Sequence, residues 1–506
     1  MNSLTGLPAL SVELNDAMLA ARELGALEEI HVEQRLSLPM VCELAFVNAA
    51  PDFVDAALAG HGQKLRITIP GSAAPLFTGE LTAVTQSYES AHSSTLRLRG
   101  YDLLHRLRKR QPTRVHVQTS VAELAGELTS DLGLTVEPEA DGPLLKRLIQ
   151  HCQSDLDLLL EALEPCGLYV TLRDDVIHIL SLAGFGEPLP LQMGEELLEA
   201  RLTVNGDAAC RSVSTFAWDP SRVERHTGRA SVPRSGRTAT ASAPPECFAS
   251  SSERHLTAEF AEDDSQAEAM AQAELDRRAA REVTLWGSAE GDSRLMPGAV
   301  VTLGGVPASL AGAYVLTSVT HRIGRSTGFV SEFSTEPPQP RPRSGATTIA
   351  LGIVTRVNDP EGLGRVRVSL PAHGDLETDW MSVLSPGAGA GKGYTVLPDT
   401  GDQVVVLFAH DRNSHGIVLG GLYGSANPPD SVVHAGAVTR YSLRTHGGQK
   451  LIFDDGARSV RLEDPAGNFF EFSPDLLKLH SVVPLEIEAI GQPVAIRGKE
   501  IHFEEA

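Results

Sequence analysis

Aromatic residues are scarce in this chain: Phe, Trp and Tyr make up 5% of its 506 residues. Its cores must be built from Val, Leu, Ile and Ala, which favours sheets with aliphatic faces. Cysteine is sparse as well. The five cysteines, Cys42, Cys152, Cys166, Cys210 and Cys247, are scattered and odd in number, with no CxxC pair. That spacing excludes a zinc knuckle or dithiol centre and predicts reduced, mostly buried thiols. No run approaches the roughly 20 apolar residues that a spanning helix needs, and no basic start precedes an apolar segment. Neither stable membrane insertion nor a signal peptide is expected, and the chain reads as one made and assembled in the cytoplasm. Positive charge is outnumbered, with 43 Lys and Arg against 65 Asp and Glu and a formal charge of -22. Such a chain repels phosphate backbones and anionic lipid, so its partners are expected to be proteins, with no nucleic acid among them. Catalytic signatures are missing too: no Gly-x-Ser-x-Gly elbow, HExxH, Walker loop or kinase set is present. Catalytic, cofactor and metal residues are therefore expected to be none.

What is present divides into several domains, because 506 residues exceed one hydrophobic core. Residues 1–118 read as strands, among them "EIHVEQRLSLPMVCELAFV", "KLRITI" and "STLRLRGY". From Ser120 the period changes. Val121, Leu124, Ala125 and Leu128 share a helical face, with Ser120 as N-cap and Gly133 as stop. Ser154 caps a second helix with Leu156, Leu159, Leu160 and Leu163 as its stripe, ended by Gly167 before a strand pair turning at Asp174 and Asp175. These elements fill 119–195. In 196–336 strands return with one more helix, capped at Asp264 or Ser265 and carrying a narrow stripe of Ala267, Met270, Ala271 and Leu275. The Ser- and Pro-rich stretch from Thr227 to Glu253 reads as a long surface connection. A Pro-rich linker, 337–348, marks the clearest boundary.

The tail, 441–506, alternates without a helix. Val460 with Leu462, Phe470 with Phe472, and Leu479, Val483, Leu485, Ile487 and Ala489 keep one parity each, as do Val494 with Ile496 and Ile501 with Phe503. Glu486, Glu488, Arg497, Lys499, Glu500 and His502 take the opposite side. Nothing within the tail can cover the dry face, and a single layer of strands is unstable in water. Copies of the chain must cover it, and a trimeric β-prism is the simplest solution. The competing arrangement is a small solenoid or half-sandwich packed on the preceding domain. The candidate trimer core is Val460, Leu462, Phe470, Phe472, Leu485, Ile487, Val494, Ile496, Ile501 and Phe503.

One motif suggests a phosphate: "GIVTRVNDPEGLGRVRVSLP", Gly352 to Pro371. A phosphate cradle needs its glycines between a strand and a helix. Here "VRVSL" follows, with Val366, Val368 and Leu370 alternating against Arg365, Arg367 and Ser369, and "GIVTRV" precedes, with Ile353 and Val357 on one parity. The grammar is a hairpin, its arginines pointing outward to neighbouring chains or water. His410, Asp411 and His415 sit in a turn-rich segment at a spacing unsuited to metal, His480 and His502 are isolated on the outer parity, and Asp454 and Asp455 read as a solvated turn.

Taken together, these stretches resemble the spike proteins of contractile injection systems: the VgrG spikes of type VI secretion and their counterparts in phage tails and extracellular particles. "GYDLLHRL", "SDLDLLLEALEPCGLYVTLRDDVIHI" and "DSQAEAMAQAELDRRAAREV" are similar to the hub. "GIVTRVNDPEGLGRVRVSLP" with "GIVLGGLYGSANPPD" is similar to the OB-fold collar, and "YSLRTHGGQKLIFDD" with "RLEDPAGNFFEF" to the needle. The resemblance implies a mainly β fold with an α+β hub: two tube-like β-barrels with inserted helices, an OB-fold barrel at 349–428, and an intertwined trimeric β-prism at 441–506. It implies a homotrimer that caps an inner tube protein, contacts baseplate proteins, punctures a target envelope on sheath contraction, and receives a PAAR-type tip protein on Ile501, His502, Phe503, Glu504, Glu505 and Ala506. Effectors are further possible partners. Only Ala426 to Arg440 separate collar from needle and no domain follows Ala506, so a non-enzymatic spike is expected. A rival reading is an OB-fold module for oligosaccharide or single-stranded nucleic acid; 349–428 offers it five basic against eight acidic residues. A cell-wall hydrolase, the other rival, lacks a catalytic set.

Overall fold

Alternating aliphatic and polar residues generate one sheet that runs through both halves of the hub. In the computed structural model, which describes residues 10–504 except 73, 90–92, 220–222, 245–251, 260, 342–347 and 409–415, eleven strands pair side by side. Their order is Leu197–Val204, Val283–Glu290, Gly328–Ser334, Ser318–Gly324, Leu27–Arg35, Val41–Val47, Ser94–Tyr101, Phe77–Tyr88, Lys64–Thr68, Ser11–Leu14 and Ala17–Met18. Early and late strands meet in an antiparallel seam, Val32 opposite His321 and Ile30 opposite Ile323. Two cores sit on this sheet. Val32, Leu44, Phe46, Ile67 and Phe77 belong to one, and Leu285, Val301, Tyr314, Val319 and Phe333 to the other. The ladder is continuous across the seam, and Ile323 and Phe329 of the late strands reach into the first core.

Five α-helices are formed among the described residues: α1 Ala21–Ala26, α2 Pro51–Leu58, α3 Val121–Thr129, α4 Asp155–Leu163 and α5 Asp264–Glu282. The caps of α3 and α4 are those the sequence predicts. Ser120 accepts from Glu123 N at 3.2 Å while Glu123 accepts from Ser120 N at 2.8 Å, and Ser154 accepts from Asp157 N at 3.1 Å. Such reciprocal caps satisfy donors that the first helical turn leaves free. α3 ends at Thr129, short of Gly133, while Gly167 takes the left-handed conformation (φ +68°) after α4 and a 3-10 turn. Both helices bury leucines against the hairpin Tyr169–Arg173 and Val176–Leu180, whose turn residues Asp174 and Asp175 have φ of +48° and +64°. A third strand, Thr135–Pro138, joins it in parallel.

α5 is capped by Asp263, one residue earlier than expected, its carboxylate accepting from Gln266 N at 2.9 Å. Its buried face includes Ala267, Met270, Ala271 and Leu275 but also Ala273, Asp276 and Arg277, so it is wider than a narrow stripe. The helix lies across Ser212–Asp219 and Glu224–Ala230, so close to the second strand that a Cβ on Gly228 would overlap the Ala267 carbonyl. This corrects the ends of the stretch read as a surface connection, Thr227 to Glu253: residues 231–244 form no strand or helix and are largely exposed, and 245–251 lie outside the described residues, but both ends belong to strands. Thr227–Ala230 complete a strand paired with Val213–Phe216, and Ala230 and Ala239 are buried. Farther on, Thr238 N and Ala241 N bond to Ala313 O and Ser309 O. Small Ser, Ala and Gly residues carry no hydrophobic period, yet they permit the tight approach that the helix needs.

The cysteine expectation needs correction as well. Cys42 is buried, but Cys166 and Cys210 are only partly so and Cys152 is exposed; none of these four forms a disulfide among the described residues, and Cys247 lies outside them. Among the described residues no strand forms between Ser334 and Thr348, and Arg341 anchors the described part of this segment to Asp157 and Glu164. No described helix is long and apolar enough to cross a membrane. The chain separates into two compact units, Met1–Gly420 and Gly421–Ala506.

Candidate assembly surfaces of the collar and the terminal sheet

Six strands form the collar, in the order Leu376–Glu377, Arg367–Leu370, Thr348–Arg356, Gln403–Phe408, Gly416–Leu422 and Ser382–Val383. Cross-strand partners share a face, and Val354 pairs with Val368. Ala350, Val354, Val366, Val368, Leu370, Val404, Val406 and Phe408 therefore point inward, joined by Ile149 from the hub. Ile353 and Val357 point outward together with Ile349 and Leu351. At the edge of this core Arg147 donates to Glu377 O at 2.6 Å, and the His151 ring lies 3.9 Å from that of His373.

The hairpin turn contains an anion after all, supplied by the chain itself. The Asp359 carboxylate accepts from the backbone N–H groups of Glu361 at 3.1 Å, Leu363 at 3.0 Å and Arg365 at 3.3 Å. The Arg365 guanidinium closes on it at 3.0 and 2.8 Å. Gly362 (φ +67°) and Gly364 (φ +70°) bend the loop so that these donors converge. The Arg365 guanidinium, aided by the convergent N–H groups and opposed by burial, holds the Asp359 carboxyl well below the usual carboxylate range. The arginines are therefore not free outward groups, as expected from their parity. Arg365 is 11% exposed, and Arg367 reaches Glu377 and Asp379 while lying 5.1 Å over Trp380. A long side chain on the outer face bends back when carboxylates stand within reach.

In the second unit, Arg440–Arg444, Lys450–Asp454, Ser459–Glu463, Phe469–Phe472 and Leu477–His480 form an antiparallel meander. Its register aligns Tyr441, Phe453, Val460, Phe472 and Leu477 in one row and Leu443, Leu451, Leu462, Phe470 and Leu479 in the next. Ten apolar side chains thus share one face. Seven of them are exposed, from 37% at Leu443 to 59% at Leu477. The opposite face is knit by charge: Arg440 with Asp454 at 2.7 Å, and Arg461 with Glu463 at 2.9 Å and Glu471 at 3.1 Å. Arg461 also lies 3.8 Å over the Phe469 ring, against which His480 stacks.

Val460, Leu462, Phe470 and Phe472 are accordingly brought together. Leu485, Ile487, Val494, Ile496, Ile501 and Phe503 are not. No strand forms after His480 among the described residues, and these six are 49% to 89% exposed. This departs from the short strands that their alternation predicts, because alternation supplies two faces but not the hydrogen-bonded neighbour that a strand requires. His502 meets Glu500 at 3.4 Å, while Glu505 and Ala506 lie outside the described residues, as do His410, Asp411 and His415. Asp454 is no mere solvated turn, since it accepts from Arg440 and from Ala457 N. Sequence reasoning missed Tyr441, Leu443, Leu451, Phe453 and Leu477 as members of the apolar face, although "RYSLR" and "KLIFD" carry the same period of two. It also missed a cluster of Glu137, Glu139 and His178, which no local spacing announces.

Comparison with known proteins fits this architecture. Residues 33–327 match the phage tail baseplate hub (GPD) family, and residues 350–423 match the type VI secretion system/phage-baseplate injector OB domain. Among curated relatives, the type VI secretion system spike protein VgrG2a of Pseudomonas aeruginosa is 25% identical over 253 residues, 44% of this chain and 29% of that protein. VgrG4b of the same organism is 30% identical over 139 residues, 26% of this chain and 16% of that one. The chain thus spans less than a third of the curated relatives it matches. Among solved structures, the half-lidded Francisella PdpA-VgrG complex aligns over 94% of this chain and 88% of its own with a TM-score of 0.57 at 10% identity. The E. coli c3393 protein, a component of the type VI secretion system, aligns over 81% of this chain and 99% of its own with a TM-score of 0.50 at 13% identity. With a hub match covering more than half of its residues and an injector OB domain behind it, the chain belongs to the phage tail baseplate hub family and is a VgrG-like spike protein.

Proposed function

We propose that this chain is the homotrimeric spike of a contractile injection system, capping the inner tube and puncturing a target envelope when the sheath contracts. One observation carries the reading: ten apolar side chains aligned on a single face of the terminal sheet, seven of them exposed. Burying seven exposed large side chains at about 1.5–3 kcal/mol each supplies a strong drive for association of copies. In this reading 1–118, 119–195 and 196–336 build the hub, 349–428 the collar and 441–506 the needle, whose core adds Leu485, Ile487, Val494, Ile496, Ile501 and Phe503 once neighbouring chains supply strand partners. Ile501 to Ala506 then form the platform for a tip protein of the PAAR type. The work is mechanical, with no catalytic step.

The OB-fold alternative asks for free cations along a groove. Arg356, Arg365 and Arg367 are each engaged by carboxylates, which favours the structural reading. The test is the native mass of the full chain and of a Leu462→Asp/Leu479→Asp variant, by sedimentation or light scattering. A trimer that the variant lowers to monomer is expected. A monomeric wild-type chain at micromolar concentration overturns the proposal.

A further inference from the structure

The parallel pairing of Thr135–Pro138 with Val176–Leu180 places His178 directly opposite Glu137. Glu139 follows two residues along, and its N–H bonds to Ile179 O at 2.8 Å, which holds the chain beside the strand past its formal end. Residues at i and i+2 of one strand and the cross-strand partner of the first all project from one face. Here that face is the one turned away from the helical core, because Ile177 and Ile179 pack into that core, with Val136 against it. One donor atom from each of Glu137, Glu139 and His178 lies within 4.8 Å of the other two.

The imidazole marks this as more than a group of surface acids. His178 is 9% exposed, and its ring is stacked at 4.9 Å and 20° on Phe185, so it cannot swing away to water. Its Nδ1 is directed at Glu139 but stops at 3.4 Å, beyond the roughly 2.7–3.2 Å of a firm hydrogen bond. The two glutamates are exposed and have flexible stems, so they can close toward the ring. A borderline divalent ion takes imidazole nitrogen and carboxylate oxygen at about 2.0–2.2 Å, which sets the donors roughly 3–3.5 Å apart. Two carboxylates and a neutral imidazole cancel a 2+ charge.

We propose that Glu137, Glu139 and His178 form a binding site for a divalent transition ion of the zinc class. The nitrogen donor disfavours Mg2+ and Ca2+, which prefer all-oxygen shells. Bound there, the ion ties Thr135–Pro138, the edge strand of its sheet, to its neighbour and leaves a fourth position for water or for a donor from another chain. The site does not depend on the trimeric spike reading.

The test titrates chelator-treated full-length protein with ZnCl2 and separately with MgCl2 by calorimetry at neutral pH, alongside a Glu137→Gln/Glu139→Gln variant. Both substitutions are isosteric and exposed, so the fold is retained, as far-UV circular dichroism checks. Expected are one saturable Zn2+ per wild-type chain, no Mg2+ binding, and an affinity about 100-fold weaker in the variant. A zinc-dependent rise in melting temperature should be confined to the wild type. No saturable zinc binding, equal binding by the variant, or equal binding of Mg2+ overturns the site.

Discussion

The collar sheet and the terminal sheet are made of the same kind of strand, alternating and largely antiparallel, yet one is closed and the other is open. In the collar, Thr348–Arg356 pairs with Gln403–Phe408, a partner about fifty positions later, and the returning strands enclose Val354, Val368, Val406 and Phe408. Among the described residues of the terminal unit every strand pairs only with its sequence neighbours, so the meander does not turn back and no second layer of strands covers its apolar face. Long-range pairing closes a core. Local pairing only defines a face, and leaves the cover to be found elsewhere.

Charge follows the same contrast. Both sheets direct arginines away from their apolar side, and Arg365 and Arg367 in the collar, like Arg440 and Arg461 in the terminal sheet, are paired with carboxylates of the chain. In the collar the partner of Arg365 is an Asp359 that is nearly inaccessible and also gathers three backbone N–H groups. In the terminal sheet Arg461 lies half-open between Glu463 and Glu471. Ion pairs of the first kind are worth more, because solvent screens the second.

The largest effect should come from placing the same charge on the two apolar faces. Val406→Asp puts an unpaired carboxylate into a fully buried position and should cost about 4 kcal/mol or more, enough to unfold the collar in urea titrations. Leu462→Asp, on the open face, should change the unfolding free energy of separated chains by less than about 0.5 kcal/mol while abolishing their association. Equal destabilisation by both would show that the terminal face is covered within one chain.

Closure should also make stability depend on pH. His321 is fully buried in the hub, its Nδ1 2.8 Å from Ser331 Oγ, and burial pulls its pKa down to about 4. A folded value below the unfolded one, near 6.5, means that its contribution is complete above pH 6.5 and is lost as pH falls toward 4. The loss amounts to about 3 kcal/mol. Asp102 runs the other way: burial raises its pKa to about 7, so its contribution is lost as pH rises from about 4 to 7. Denaturation of wild type and His321→Gln at pH 7 and pH 4.5 isolates the first effect as the difference between them. A pH-independent difference would exclude His321 as the source.

Smaller changes sharpen the contrast in charge. Asp359→Asn removes the carboxylate from its N–H groups and from Arg365 and should cost the collar about 2 kcal/mol. Because the folded Asp359 is held acidic, its stabilisation is present above the ordinary carboxylate range and is lost as pH falls below it, so the deficit of the variant should shrink in acid. Hydrogen exchange at the amides of Glu361, Leu363 and Arg365 should rise together. Arg461→Ala on the terminal sheet should cost less than about 1 kcal/mol and fade with added salt.

Local signals were legible where one residue's chemistry suffices. Ser120 and Ser154 cap helices because a hydroxyl beside a free N–H group needs no tertiary help, and Asp174 with Asp175 turns a hairpin because both tolerate positive φ. The stretch around Gly228 was illegible because its small residues are defined by what packs on them. The helix α5 crosses there, and no periodicity within the strand announces it. Leu485 to Phe503 shows the limit from the other side: alternation is plain in the sequence, but without a neighbouring strand it yields no strand.

The sequence by itself determined the aliphatic β character of the chain, the caps of α3 and α4, the turn at Asp174 and Asp175 and the alternation of Val366, Val368 and Leu370 and of Val460, Leu462, Phe470 and Phe472, because all of these follow from neighbours within a few positions. Only the tertiary structure decided which strands meet across the hub seam, that the glycine turn is filled by Asp359, and that Glu137, Glu139 and His178 converge. Those outcomes depend on pairings between distant segments, and a periodicity of two or of 3.6 residues contains no record of its distant partner.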